Sequence, residues 1–193
     1  MPAGFRLWRA GETERMDEMR LSPGASAREV AFDSVIAIAP ARPRDLLALA
    51  GVQRRAFSPR LAYSIGTLAL LWVLPHVTLL VARGGEPSRV LGCAIGDRRE
   101  GQIRVINLAV DPVARRHGVG TRLLRALEAA LPGGTISLMV EESNTAARAL
   151  YEREGYARSR LIHHYYGNGQ HGLELEKRRP GGDDPLLPPT IRV

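Results

Sequence analysis

The sequence predicts an α+β domain: a mixed, mostly antiparallel central sheet flanked by helices. Three observations carry this reading. Short apolar runs at Val77–Ala82, Val90–Ile95 and Ile103–Val110 are separated by turn clusters, as strands of an antiparallel meander are. From Asp111 the period changes, and Leu123, Leu124, Leu127, Ala130 and Leu131 form one helical stripe. Helix and strand patterns then alternate as far as Lys177.

The elements follow in order. Val35–Ile38 is a short apolar strand. Pro43 to about Ala56 is a helix, with proline at its start and Leu46, Leu47, Ala50 and Val52 as apolar positions. Leu61–Ala82 carries no formal charge over 22 residues, long enough to span a bilayer. Pro75-His76 in its middle, with Ser64 and Gly66 near its start, argue instead for a buried helix to about Leu74, a turn, and a strand from Val77. Gly84–Ser88 is a turn cluster, and residues 97–102 turn the chain back into Ile103–Val110. Thr121–Leu131 is a helix with Arg122, Arg125 and Glu128 opposite its stripe, stopped by Pro132-Gly133-Gly134. Thr135–Val140 is a strand, and Asn144–Glu154 a helix ended by Gly155. Two strands close the pattern, Ala157–Tyr166 and Gly172–Lys177, joined around Gly167-Asn168-Gly169. Residues 1–30 and 179–193 lack periodicity and read as flexible tails around one domain, 31–178.

Composition narrows the function classes. The chain has 193 residues, 45% hydrophobic and 24% charged, which suits one soluble domain. Its net charge is +7, and Lys177 is the only lysine. That charge suits an anionic ligand or nucleic acid, and equally an Arg-rich coding bias, so it selects nothing alone. A single cysteine, Cys93, in an apolar run excludes an internal disulfide and a cysteine metal cluster. It fits a reducing cytoplasm. The histidines show no metal-ligand spacing, so no metal is expected. The N-terminus has no apolar signal region.

The sharpest local feature runs from Asn107 to Thr121: a strand, a turn holding Gly118 and Gly120, and a helix that starts at once. The first N–H groups of such a helix have no intrahelical acceptor and, with the helix dipole, make an anion site. Glycines let a diphosphate approach the backbone, and Arg115 and Arg116 add charge at the rim. A tight strand-to-helix connection needs the same residues. No Gly-Lys-Ser/Thr follows, so this is not a nucleotide P-loop.

Leu108-x-Val110-x-Pro112 followed by Arg115-x-x-Gly118-x-Gly120 resembles the acetyl-CoA signature of the GNAT acyltransferase superfamily. Asn144-x-x-Ala147-x-x-x-Tyr151-x-x-x-Gly155-Tyr156 resembles that superfamily's second motif. The likeness covers about Val35 to Lys177 and implies a GNAT fold with splayed central strands. It also implies an N-acetyltransferase that uses acetyl-CoA. The diphosphate would rest on main-chain N–H groups of Arg116, Gly118, Gly120 and Thr121, and pantetheine on Leu108, Val110 and Asn144. Asn144 and Tyr151 lie nearly two turns apart, so they share a helix face with ~10 Å of rise between them. Asn144 also suits a helix cap, and Tyr151 a core position. The resemblance implies that Tyr151 is the general acid that protonates the leaving thiolate.

The acceptor side is less defined. Arg160–Gly167, with the pair Tyr165-Tyr166, is similar to the substrate-holding segment of protein N-terminal acetyltransferases, including those acting on ribosomal-protein alanines. Leu138-x-Val140-x-x-Ser143-Asn144 also resembles that group. Met139 stands where the ribosomal-protein enzymes carry a basic glutamate. The base is then Asn107, His163 or Glu141 acting through water, and His163 and His164 equally suit an exposed strand. A protein N-terminal amine is the first acceptor class. A small amine or amino-acid-like metabolite follows, with Leu61–Leu74 as a pocket wall, then a lysine side chain. A non-catalytic acyl-CoA or nucleic-acid binder is the alternative of another class. No membrane or nucleic-acid partner is expected, and the oligomeric state is undetermined.

Overall fold

The structure, a computed structural model, describes residues 36–85, 88–99, 101–167 and 169–179. The expected tail 1–30, Val35 and residues 180–193 lie outside the described residues. A seven-stranded sheet runs in the order β1 (Ala37–Pro40), β2 (Val77–Gly84), β3 (Arg89–Arg99), β4 (Gln102–Val110), β5 (Ile136–Glu141), β7 (Gln170–Lys177) and β6 (Ala157–Gly167). All neighbours are antiparallel except β4 and β5. Two helices, α1 (Leu46–Ala56) and α2 (Ile65–Val73), precede β2. A third, α3 (Val119–Ala130), joins β4 to β5, and α4 (Thr145–Arg153) joins β5 to β6.

Each face of the sheet carries its own core. Leu123, Leu124 and Leu127 of α3 pack on one face with Leu91, Ile103, Ile136 and Leu138, and Tyr151 of α4 joins them. Leu46, Leu49 and Val52 of α1 and Leu68 of α2 pack on the other, over Val81, Cys93, Ile95 and Ala109. Alternation explains the division: Ile136, Leu138 and Val140 point one way along β5, and Ser137, Met139 and Glu141 the other. Burying a leucine stabilises by about 1.5–3 kcal/mol, so these two layers supply most of the drive to fold.

Several sequence expectations need correction. The first strand is Ala37–Pro40, displaced from Val35–Ile38, because its register pairs it with the C-terminal half of β2, from Ala37 opposite Arg83 to Pro40 opposite Leu80. The turn expected over 97–102 is narrower, since β3 continues to Arg99 and β4 starts at Gln102. The segment read as a buried helix from Leu61 is a nine-residue helix started by Ser64, whose Oγ accepts the Thr67 N–H at 3.1 Å. Only Leu68 of it is fully buried, and Leu70 and Val73 are 60% and 62% exposed, because α2 touches the sheet along one edge. Glu128 was expected opposite the stripe of α3, yet it is buried. It lies four residues after Leu124, on the stripe side, and accepts hydrogen bonds from Tyr156 Oη and Lys177 Nζ, both at 2.8 Å. Ala130, placed in the stripe, is exposed. Arg179, put at the start of the C-terminal tail, donates to the carbonyls of Glu128 at 2.6 Å and Leu131 at 3.0 Å, closing the end of α3.

The sheet opens at its centre. Parallel pairing of β4 with β5 is confined to Ile103–Val105 opposite Ile136–Leu138. Past that point β4 holds one extra residue, Ile106, since Gly96 faces Val105 and Ile95 faces Asn107. The bulge turns β4 away, while β5 stays paired with β7 as far as Glu141 opposite Gly172. Splayed central strands are therefore present.

Candidate active site

Leu108 and Val110 lie on β4 beyond the bulge, on the rim of the opening. The chain then passes a short 3-10 turn at Pro112–Ala114, which Asp111 caps by accepting the Val113 N–H at 3.3 Å. Arg116 and Gly118 both adopt left-handed backbone, with φ of 69° and 71°. Such alternation turns successive N–H groups toward one side, a concave anion cradle. Gly118 immediately precedes α3 and offers no side-chain cap, so the first N–H groups of that helix face outward. Arg116 is exposed, and Arg115 ties the turn to the end of α1 by donating to the Ala56 carbonyl at 3.2 Å. The cradle, the uncapped helix start and the arginines fit a diphosphate.

The two glycines act differently from one another. A Cβ at Gly118 would meet nothing within 4 Å, so the left-handed backbone is what requires glycine there. A Cβ at Gly120 would lie 3.0 Å from Leu150 Cδ1 and 3.6 Å from Val110 Cγ2. Gly120 thus lets the start of α3 sit close against α4 and β4. Thr121 lies in the first turn of α3, half-buried.

Across the opening, Asn144 caps α4, its Oδ1 accepting the Ala147 N–H at 3.1 Å. The Tyr151 ring is buried and packs edge-on against Tyr156, with centroids 5.7 Å apart. Among the described residues no sealed side-chain oxygen lacks a partner, and the Tyr151 hydroxyl makes no side-chain hydrogen bond that fixes it. Burial, and then proximity to Tyr166, push its pKa above the ordinary tyrosine value, so it stays protonated throughout the neutral range.

The acceptor side gathers residues from distant segments. Tyr165 and Tyr166 stack edge-on at 4.9 Å near the end of β6, with Tyr165 52% exposed. Tyr166 is half-buried, and burial pushes its hydroxyl up to about 12, with Tyr165 and Glu141 as its next electrostatic neighbours. Tyr63, in the loop between α1 and α2, has Tyr165 and Cys93 as electrostatic neighbours, and burial raises its pKa. A Cβ at Gly172 would lie 2.9 Å from both Met139 Sδ and Tyr165 Cβ, so glycine is what lets Tyr165 lie down beside Met139.

The three candidate bases fare differently. Asn107 accepts a hydrogen bond at its Oδ1 from Gln53 Nε2 at 2.7 Å, so that oxygen is occupied. His163 belongs to an exposed cluster with His164 and His171 on the β6–β7 hairpin, at ring distances of 4.8–6.5 Å. Glu141, on β5 beside Tyr166, accepts from Ser143 Oγ at 2.7 Å and keeps its second oxygen. Cys93 is fully buried, and burial pushes its thiol up to about 12, which excludes it as a nucleophile. A polar cleft of about 440 Å³, lined by Ser137, Arg160, Glu174 and Glu176 among others, contains none of the predicted site residues.

Sequence reasoning missed Gln53, Tyr63 and Leu150. Gln53 had a signal: it continues the stripe of Leu46, Leu49 and Ala50 at the i+7 position and is polar. Tyr63 and Leu150 had none.

The comparisons with known proteins agree with this geometry. A family model described as the acetyltransferase (GNAT) family matches residues 49–156. The chain is 31% identical over 148 residues to an uncharacterized N-acetyltransferase of Methanocaldococcus jannaschii, covering 75% of this chain and 92% of the relative. It is 30% identical over 138 residues to the N-alpha-acetyltransferase MAK3 of Arabidopsis thaliana, covering 68% and 72%. Its fold is similar to that of the ribosomal-protein-S18-alanine N-acetyltransferase of Escherichia coli, with a TM-score of 0.65 at 24% identity over 78% of this chain and 99% of that one. It is also similar to a chain of the NatC complex bound to Gag peptide and CoA, with a TM-score of 0.60 at 21% identity over 75% and 99%. The chain belongs to the GNAT acetyltransferase family. It is an acyltransferase whose acetyl donor is acetyl-CoA.

Proposed function

We propose that this enzyme acetylates protein N-terminal α-amines by direct attack within a ternary complex. The observation that carries this reading is the tyrosine cluster on the acceptor side. Tyr165 and Tyr166 lie within electrostatic reach of Tyr63, Tyr151 and Glu141. An exposed tyrosine between a loop and a hairpin suits an extended peptide backbone better than a sealed metabolite pocket does. The relatives named N-alpha-acetyltransferase support the same acceptor.

In this reading acetyl-CoA supplies the acetyl group and leaves as the thiol. The N–H groups of Arg116, Gly118, Gly120 and Thr121 hold its diphosphate, and Arg115 and Arg116 add charge. Leu108, Val110 and Asn144 line the pantetheine path where β4 leaves β5, and β4 main-chain N–H groups face the developing oxyanion. Tyr165 and Tyr166 orient the acceptor so that its neutral amine faces the opening. Glu141 takes the amine proton through water, and Tyr151 delivers a proton to the departing sulfur. Tyr151 is a weak acid, but a thiolate formed in the same desolvated place has its proton affinity raised by the same cause. We place the reaction in the cytoplasm, which suits the unpaired Cys93. Among the described residues no helix is long and apolar enough to cross a membrane.

A panel of peptides, free amines and lysine-containing peptides, assayed by thiol release and mass gain with acetyl-CoA, tests this. Acetylation of peptides that disappears when their N-terminus is blocked is the expected result. Equal rates with blocked peptides, or turnover of small amines alone, sink the N-terminal acceptor.

A further inference from the structure

Gln53 is fully buried in α1, in a stripe otherwise made of Leu46, Leu49 and Ala50. An apolar residue would fill that place without the need to satisfy an amide. Its partners explain the choice. The backbone N–H of Tyr63 can only donate, so the atom it meets at 3.4 Å is Gln53 Oε1. Gln53 Nε2 must then donate, to Asn107 Oδ1 at 2.7 Å and toward Cys93 Sγ at 3.5 Å. One backbone N–H thereby sets the orientation of two side-chain amides. It leaves Asn107 a donor, its Nδ2 standing 3.4 Å from Gln53 Oε1.

The partners belong to different machinery. Tyr63 lies in the α1–α2 loop beside Tyr165. Asn107 is the first residue after the bulge at Ile106, where β4 leaves β5. We propose that Gln53 is a positioning residue for the acyl transfer: through Tyr63 and Asn107 it sets the spacing between the loop that receives the acceptor and the strand that lines the thioester. Gln53 touches neither substrate. The proposal rests on the reading that the acceptor enters beside Tyr63 and Tyr165. A buried polar pair that fixes register in this way is a known use of such groups.

Gln53→Met keeps length and burial and removes every side-chain hydrogen bond of Gln53. The Tyr63 amide then loses protection from hydrogen exchange. Acceptor kcat/KM falls about tenfold, while acetyl-CoA affinity changes less than about twofold. The single variant also strands the Asn107 amide, so Gln53→Met with Asn107→Leu is the second measurement. Replacing both partners by apolar groups restores stability, and Tm returns toward wild type while acceptor kcat/KM stays low. Wild-type kinetics in the double variant overturns the proposal, as does a loss shared equally by acetyl-CoA and acceptor. The assay uses whichever acceptor the panel returns. Failure of the N-terminal-amine reading changes the substrate, whereas failure of this proposal changes the ratio of variant to wild type.

Discussion

The turn from Arg115 to Gly120, which follows β4, and the region around Tyr63, Met139 and Tyr165 are built differently. The turn presents backbone: two left-handed residues and an uncapped helix start, all within six consecutive positions. The second region presents side chains from the α1–α2 loop, β4, β5, β6 and β7. A backbone cradle needs glycine and the right turn, and tolerates wide variation elsewhere. A side-chain surface changes with every residue that lines it. In the proposed function the donor half then depends on local backbone geometry, and the acceptor half is where specificity is set.

Four substitutions test this contrast, from the largest effect to the smallest. Gly120→Glu places bulk 3.0 Å from Leu150 and a negative charge at the cradle, so acetyl-CoA affinity falls by about two orders of magnitude or more. Calorimetry checks it, with Gly120→Ala separating bulk from charge; normal affinity in the glutamate variant puts the diphosphate elsewhere. Tyr151→Phe lowers kcat about 10²-fold or more and leaves acetyl-CoA binding nearly intact. Since burial keeps that hydroxyl protonated, wild-type turnover shows no alkaline loss from Tyr151 below about pH 10. An alkaline limb near neutrality that vanishes in the phenylalanine variant would contradict its role as an acid.

Gly172→Val acts on the acceptor half alone. Its side chain displaces Tyr165 and Met139, so acceptor KM rises about tenfold with acetyl-CoA affinity unchanged. A matching loss of acetyl-CoA affinity would mean that the halves are not separable. The smallest effect belongs to the joint between them. Arg55 of α1 donates to Asp111, after β4, at 2.6 Å and 3.0 Å. Burial alone would raise the Asp111 pKa, but the hydrogen bonds from Arg55 and from the Val113 N–H hold it below the unfolded value of 3.8. The pair therefore stabilises above about pH 4, and its contribution is lost as pH falls through the lower folded value. Arg55 is 54% exposed, so solvent screens it. Asp111→Asn lowers Tm by about 2–4 °C at pH 7, and the gap to wild type closes in acid. A gap that does not narrow as the pH falls assigns the loss to packing.

Much of the donor half was legible in the sequence. The period change after Asp111, the glycines of the turn and Asn144 as a cap are local signals, and the structure contains each of them. The acceptor half was legible only in part. Tyr165 and Tyr166 stood out as a pair, but Tyr63 lies about one hundred residues earlier, and nothing local marks it as their neighbour. Glu128 and the α2 segment show the other failure. The sequence placed all of α2 inside and Glu128 outside, whereas packing buries only Leu68 of α2 fully and takes Glu128 into the core.

The sequence by itself determined the order and type of the elements and the backbone cradle, because helix starts, turns and alternation depend on residues within a few positions of one another. Tertiary structure decided where the sheet opens, since the bulge at Ile106 shows only against the register of β3. It also decided which polar groups meet there. Gln53, Tyr63 and Asn107 come together only once α1 lies across β4, a contact no short window of sequence contains.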